Sequence, residues 1–191
     1  MFIKICGVTQ LEDAVFAHEQ GAEIIGVVLA AQSPRRGTQE IIGKISREGI
    51  RTAAVYTDME SALNAESNEE FAQLHFDSTP EQVDQIRQTG RKVISVMDVS
   101  QGISHERIND ASRRSDLLLL ENRKGISGTL DHEKLKLEKN MGLAGGIGAH
   151  NIRDVLKIKP GFVDLSSSLE SSPGRKDKDK IRHFFQEVNN L

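Results

Sequence analysis

A regular alternation of short apolar runs with amphipathic stretches extends over all 191 residues and is the strongest constraint on the fold. Each apolar run is too short for an ordinary helix and is rich in Ile, Val and Leu. Runs that are apolar throughout are typical of strands covered on both faces of a parallel sheet. Eight such runs are predicted as strands: residues 2–6, 23–29, 51–56, 71–75, 92–97, 116–120, 140–144 and 161–165.

The stretches between these runs carry helix signals. Segment 11–20 has apolar residues spaced along one helix face. Sequences that fit a capping box begin at Thr57 and at Thr79, and both predict helix starts. Gly90 is predicted to end the second of these helices.

Eight strand–helix units favour a single-domain (β/α)8 TIM barrel over residues 1–191, because no composition shift marks a domain boundary. The alternative is a doubly wound open sheet, which shows the same alternation. That fold commonly has a glycine-rich loop after its first strand, and segment 7–10 (Gly-Val-Thr-Gln) lacks the fingerprint. The charged run from Gly174 to Arg182 is predicted to be a solvated start to the last helix.

Composition excludes several classes of partner. The net charge of −3 provides no overall basic field for nucleic acid. The absence of Trp and the single Tyr argue against a stacking platform for bases.

The first residues lack the pattern of a secretory signal, and the longest apolar stretch, Ile24–Ala31, is too short to cross a bilayer. We therefore expect a cytoplasmic protein with no membrane partner.

Catalytic groups of such barrels lie at the carboxyl ends of the strands and in the loops that follow. In this chain, those positions hold reactive side chains or glycines. They are Cys6, Arg35, His75, Glu121, the loop Gly125–Thr129, Gly145, Gly146, Asp164, Ser167 and Ser168.

The last two strand ends predict a phosphate site. Gly145 and Gly146 allow close approach of the backbone, and the serine segment 166–168 supplies further donors. A Gly-Gly pair alone is more often a tight turn without a ligand. The ligand hypothesis is favoured here because barrels often bind phosphate with the loops after strands 7 and 8.

Cys6 and Glu121 are predicted to form a base and acid pair across the mouth of the barrel. Taken alone, a free cysteine is usually a small buried hydrophobe and a glutamate is usually a hydrated surface group. We expect cationic neighbours to lower the pKa of Cys6, and burial after four leucines to raise the pKa of Glu121. No HxH, CxxC or HExxH spacing occurs, so no metal is predicted.

Together these motifs resemble the phosphoribosylanthranilate isomerase family of tryptophan biosynthesis. The similarity spans the chain and depends on the order and spacing of several short segments. They are Lys4–Gly7, Leu11–Ala14, Gly21–Glu23, Ser33–Arg35, Gln73–His75, Gly125–Asp131, Ala144–Ile147 and Val163–Ser167, followed by Glu170, Gly174, Lys176 and Asp177.

The resemblance implies a cofactor-free Amadori rearrangement of a small phosphorylated substrate, N-(5′-phosphoribosyl)anthranilate. It implies that Cys6 is the general base, that Glu121 takes the place of the general acid, and that Arg35 binds the anthranilate carboxylate. His75 is assigned to substrate binding, and Asp164 is expected near the anthranilate amine or as a supporting group. The residues expected to hold the phosphate are Gly145, Gly146, Ser167 and Ser168.

Three positions depart from the family pattern. Glu121 stands where the family has aspartate, so its carboxyl group reaches one methylene further. Ser168 replaces a glycine and is expected to resist positive φ. Phe76 also replaces a glycine and is expected to narrow or reshape the mouth.

Two other functions stay open from the residues alone. One is a different sugar-phosphate isomerase or aldolase, which would not need Arg35 together with Cys6. An aldolase would also need a strand lysine for a Schiff base; Lys4 lies deeper than Cys6 and is expected to be structural. The other is a non-catalytic phosphate-binding barrel. Both a monomer and a homodimer are compatible with the sequence.

Overall fold

The computed structural model describes residues 1–66, 68–102, 104–122 and 137–190. Eight parallel strands form a closed barrel, in which β1 pairs with both β2 and β8. The closure excludes the open-sheet alternative, and all eight predicted strands are confirmed. They are β1 (Phe2–Ile5), β2 (Ile24–Val28), β3 (Arg51–Tyr56), β4 (Phe71–Leu74), β5 (Lys92–Asp98), β6 (Leu117–Glu121), β7 (Met141–Ala144) and β8 (Phe162–Leu165).

Helices surround the barrel, and most of their starts have a side-chain cap. They are α1 (Leu11–Gln20), α2 (Gln39–Arg47), α3 (Met59–Leu63), α4 (Pro80–Gln88), α5 (His105–Arg114), α6 (Ile152–Lys157) and α7 (Lys178–Asn189). The capping box of Thr79 is confirmed. The box predicted at Thr57 is wrong, because Asp58 caps α3 and accepts the Ser61 N–H at 2.7 Å.

The core has two layers, because successive strand residues point to opposite faces. Outward-facing residues such as Ile3, Ile5 and Leu165 pack under the helices. Inward-facing residues fill the base of the barrel, where the rings of Phe2 and Phe162 stack 4.8 Å apart. Above the filled base, a cavity opens toward the carboxyl ends of the strands.

A short hairpin, β9 (Glu170–Ser172) and β10 (Arg175–Lys176), follows β8 and lies beside the mouth. The prediction of a solvated run from Gly174 is wrong for its first part. Lys176 is buried, its backbone N–H donates to Asp13 at 3.1 Å, and α7 begins only after Asp177. The hairpin therefore places charged side chains at the mouth.

Candidate active site

A cavity of about 420 Å³ occupies the carboxyl end of the barrel. All nine residues that the sequence nominated for catalysis or substrate binding line it. They are Cys6, Arg35, His75, Glu121, Gly145, Gly146, Asp164, Ser167 and Ser168. The nominated loop Gly125–Thr129 lies outside the described residues. The structure thus brings the nominated side chains to one place, while their roles stay predictions.

Cys6 lies at the end of β1 above a buried ion pair. Lys4 is fully buried, and its Nζ donates to Asp164 Oδ2 at 2.7 Å. Burial raises the pKa of the Cys6 thiol above its ordinary value, although Lys4 and Lys176 act in the opposite direction. The prediction of a lowered pKa for Cys6 is therefore wrong, because desolvation outweighs the cations.

Burial also raises the pKa of Asp164, and the charge of Lys4 opposes this effect. Burial alone would lower the pKa of Lys4. The charges of Asp164 and Cys6 outweigh it, so the pKa of Lys4 lies above its ordinary value. Lys4 therefore remains a cation in the barrel interior, as expected for a structural group.

Arg35 extends from the loop after β2 and binds Glu170 of β9. Its Nε donates to both carboxylate oxygens at 3.0 Å, and its Nη2 lies 2.8 Å from Oε2. Lys176 Nζ donates to the same carboxylate at 2.9 Å. Burial alone would raise the pKa of Glu170, but Arg35 and Lys176 outweigh it and lower that pKa. Glu170 therefore fixes the Nε–Nη2 edge of the guanidinium, whose Nη1 makes no hydrogen bond with any other described residue.

Glu121 ends β6, and β7 and β8 separate that strand from β1. Its Oε2 lies 3.4 Å from Nε2 of His75, which follows β4. Glu121 and Cys6 therefore reach the cavity from different strands, as a base and acid pair on opposite sides of a substrate requires. The contact between Glu121 and His75 was not predicted, because it joins two strands that are not neighbours.

Two glycines after β7 form the predicted phosphate corner. Gly145 has φ +109° and Gly146 has φ +65°. A Cβ atom on Gly145 would lie 2.0 Å from the backbone oxygen of Asn122, so only glycine fits there. Among the described residues Lys159 is the one non-glycine with positive φ. Ser168 therefore fits its position without the backbone strain that was expected.

Three buried side-chain atoms that line the cavity have no hydrogen-bond partner among the described residues. They are Gln73 Oε1, Asp164 Oδ1 and Ser168 Oγ. Buried polar atoms are nearly always paired with protein, water or ligand, so these three are candidate contacts for a bound molecule. Gln73 was missed as a site residue, although its position two residues before His75 places both side chains on one face of the strand.

Phe76 does not line this cavity. It packs against the layer between barrel and helices and lines an adjoining cavity that also includes His75 and Glu121, so its effect on the mouth stays a prediction. Within the described ranges, no three His, Cys, Asp or Glu side chains lie close enough to hold a metal ion. The same ranges contain no helix long and apolar enough to cross a membrane.

Comparison with known proteins adds independent evidence. The family model for N-(5′-phosphoribosyl)anthranilate isomerase matches residues 3–187. The isomerase of Thermoplasma volcanium is 43% identical over 189 residues, covering 98% of this chain and 96% of the relative. That of Rubrobacter xylanophilus is 34% identical, covering 95% and 96%.

Solved structures agree with this similarity. Phosphoribosyl anthranilate isomerase from Thermus thermophilus superposes with a TM-score of 0.83 at 30% identity, over the full length of both chains. An isomerase in complex with reduced 1-(o-carboxyphenylamino)-1-deoxyribulose 5-phosphate gives 0.79 at 28% identity, again over both full chains. The predicted resemblance is therefore confirmed, and the chain belongs to the N-(5′-phosphoribosyl)anthranilate isomerase family of tryptophan biosynthesis.

Proposed function

We propose that this protein converts N-(5′-phosphoribosyl)anthranilate into 1-(o-carboxyphenylamino)-1-deoxyribulose 5-phosphate, with Cys6 as general base and Glu121 as general acid. The observation that carries the proposal is the convergence in one cavity of both groups, an arginine and a glycine-rich corner. These parts match the reacting centre, the carboxylate and the phosphate of one substrate.

The two anionic ends of the substrate fix its orientation. The phosphate binds to backbone N–H groups of Gly145 and Gly146 and to Ser167 and Ser168, whose buried hydroxyl lacks a partner among the described residues. The anthranilate carboxylate binds the Nη1 side of the Arg35 guanidinium, a group that can donate two hydrogen bonds to a planar anion. The sugar then lies between them, beside Gln73 and Asp164.

The reaction moves two protons. Glu121 gives its proton to the ribose ring oxygen, and the ring opens to a Schiff base. The Cys6 thiolate removes the proton from C2′, and the enolamine that results tautomerises to the ketone. His75 supports Glu121 through the contact at 3.4 Å.

Turnover of freshly prepared phosphoribosylanthranilate tests this proposal. The loss of anthranilate fluorescence is followed for the wild type, Cys6→Ala and Cys6→Ser. We expect the wild type to react and both variants to lose about 100- to 10,000-fold in kcat, the usual contribution of a general base. Unchanged melting temperatures show that the fold is intact. A folded wild type without turnover would contradict the substrate, and an active Cys6→Ala would contradict the role of Cys6.

We further propose that the chain acts in the cytoplasm as one domain over residues 1–191. A related isomerase from Thermotoga maritima is described as dimeric, and it shares 28% identity with this chain at a TM-score of 0.80. Light scattering of the purified protein distinguishes the homodimer from the monomer, the two states that the sequence allows.

A further inference from the structure

A buried cation lies directly beneath the proposed catalytic base. Lys4 lies in β1 and Cys6 directly follows that strand, two residues further on, so both side chains face the barrel interior. A Cβ atom on Gly26 of β2 would lie 2.8 Å from Cys6 Sγ and 3.1 Å from Lys4 Nζ. Both atoms therefore border the same small space, which stays open because residue 26 has no side chain.

We propose that Lys4 is a positioning residue for the isomerase reaction, and that its ammonium group supplies the positive charge opposite the thiolate form of Cys6. This role rests on the proposed function, in which Cys6 is the general base. Lys4 touches no reacting atom in that scheme and acts only through Cys6.

The hydrogen bonding of Lys4 leaves N–H groups that can face the thiolate of Cys6. An ammonium group has three donors, and the bond to Asp164 Oδ2 at 2.7 Å uses one. Asp164 therefore holds the charge in place while other N–H groups remain for the sulfur. A buried ion pair alone is a weak source of stability, so stability does not by itself explain a lysine in the barrel interior.

The groups around Cys6 explain why its thiolate form needs a cation close by. Burial and the carboxylate of Asp164 both oppose ionisation of the thiol, whereas Lys4 and Lys176 favour it. Lys176 also faces Arg35 and Glu170, and the carboxylate of Glu170 binds it at 2.9 Å. When it is ionised, Glu121 adds a further negative charge near Asp164. Both lysines are thus paired with a carboxylate, and of the two the charge of Lys4 acts more strongly on the thiol, so Lys4 is the main cation for the thiolate.

Cys6 is the single cysteine of the chain, so its ionisation can be measured directly. The rate of alkylation by iodoacetamide is followed against pH, without substrate, because the thiolate is the reactive form. We expect Lys4→Met to move the midpoint upward by about 1 to 3 pH units. Lys176→Met is the matched control and should move it less.

Lys4→Met leaves Asp164 buried without its partner, which is a reason for misfolding or for protonation of Asp164. A second pair of variants avoids this problem. Asp164→Asn removes the opposing carboxylate and should lower the midpoint, whereas Lys4→Met/Asp164→Asn should show a midpoint above that of Asp164→Asn. Equal midpoints in these two proteins would overturn the proposal.

Turnover separates this inference from the proposed function. In folded Lys4→Met, kcat at neutral pH should fall about tenfold for each unit of midpoint shift, and it should recover as the pH rises through the new midpoint. A purely structural lysine would not give that recovery. A shifted midpoint in a protein that does not convert phosphoribosylanthranilate would refute the substrate but support the charge role of Lys4.

Discussion

At the residue scale, the carboxyl group of Glu121 is the proposed general acid and lies at the end of β6. Glu121→Gln removes the transferable proton but keeps the length of the side chain. We expect kcat to fall about 100- to 10,000-fold, as for the loss of a general acid. Steady-state turnover measures the loss, and a thermal melt checks that the protein is folded.

Glu121→Asp is the matched variant, since it keeps the acid and shortens the side chain by one methylene. The shorter group moves away from His75, which lies 3.4 Å from the glutamate. We expect the kcat of Glu121→Asp to be below that of the wild type but at least about tenfold above that of Glu121→Gln. A small displacement of the acid costs less in rate than loss of its proton. Wild-type turnover by Glu121→Gln would rule out this residue as the acid.

Side-chain positions were more predictable than side-chain ionisation. Cys6 and Glu121 were placed correctly because strand ends fix where a side chain emerges. The direction of the Cys6 pKa shift was predicted wrongly, because it depends on the balance between burial and the distances to Lys4 and Asp164. Gln73 was overlooked for a related reason: only the structure shows that its amide oxygen is buried without a partner among the described residues.

At the element scale, Gly145 couples the phosphate corner to the end of β6. A Cβ atom there would lie 2.0 Å from the Asn122 oxygen, and Asn122 directly follows Glu121. Gly145→Ala should therefore displace Glu121, the proposed acid, as well as the loop proposed to bind phosphate. We expect a stability loss of about 1 to 3 kcal/mol, a lower kcat and a higher KM. Urea unfolding and steady-state kinetics on the same preparation measure these effects.

Gly43→Ala is the control for Gly145→Ala. Gly43 lies within α2, and a Cβ atom there would meet no atom within 4 Å. Alanine should raise the free energy of unfolding by about 0.5 to 1 kcal/mol and leave turnover unchanged. A Gly145→Ala protein as stable and active as Gly43→Ala would contradict the steric argument.

Strands were easier to predict from the sequence than caps and the hairpin. A strand buried on both faces leaves an uninterrupted apolar run, so β1 to β8 are visible in the sequence. The choice of Asp58 over Thr57 as a cap depends on local backbone geometry. The hairpin was hidden because the burial of Glu170 and Lys176 depends on contacts with residues remote in sequence, such as Arg35 and Asp13.

At the scale of the whole molecule, the two ends of the barrel carry different kinds of charge cluster. The mouth holds the buried charges Lys4, Asp164 and Lys176 around the proposed base. At the opposite end, Arg51 and Lys92 begin β3 and β5 and bind the carboxylate of Glu70. In barrels of this type the first end supports catalysis and the second supports stability.

Glu70→Gln tests whether the end of the barrel opposite the cavity supports stability without affecting catalysis. The bonds from Arg51, and then from Lys92, lower the pKa of Glu70 to about 2 from the ordinary value of 4.5. A lowered pKa means that the ionised group stabilises the fold above its ordinary pKa, and that this stabilisation disappears as the pH falls toward 2. Because the cluster is partly exposed to solvent, we expect a loss of about 0.5 to 1 kcal/mol at pH 7.

Urea unfolding of the wild type and Glu70→Gln at pH 7, 5, 4 and 3 checks the prediction. The difference between the two proteins should be constant down to about pH 5, shrink below the ordinary pKa of a glutamate, and be weaker in 1 M salt. Turnover should be the same in both proteins at pH 7, since Glu70 lies at the end of the barrel away from the cavity. A difference that grows at low pH, or a loss of turnover without unfolding, would show that the two ends of the barrel are not independent.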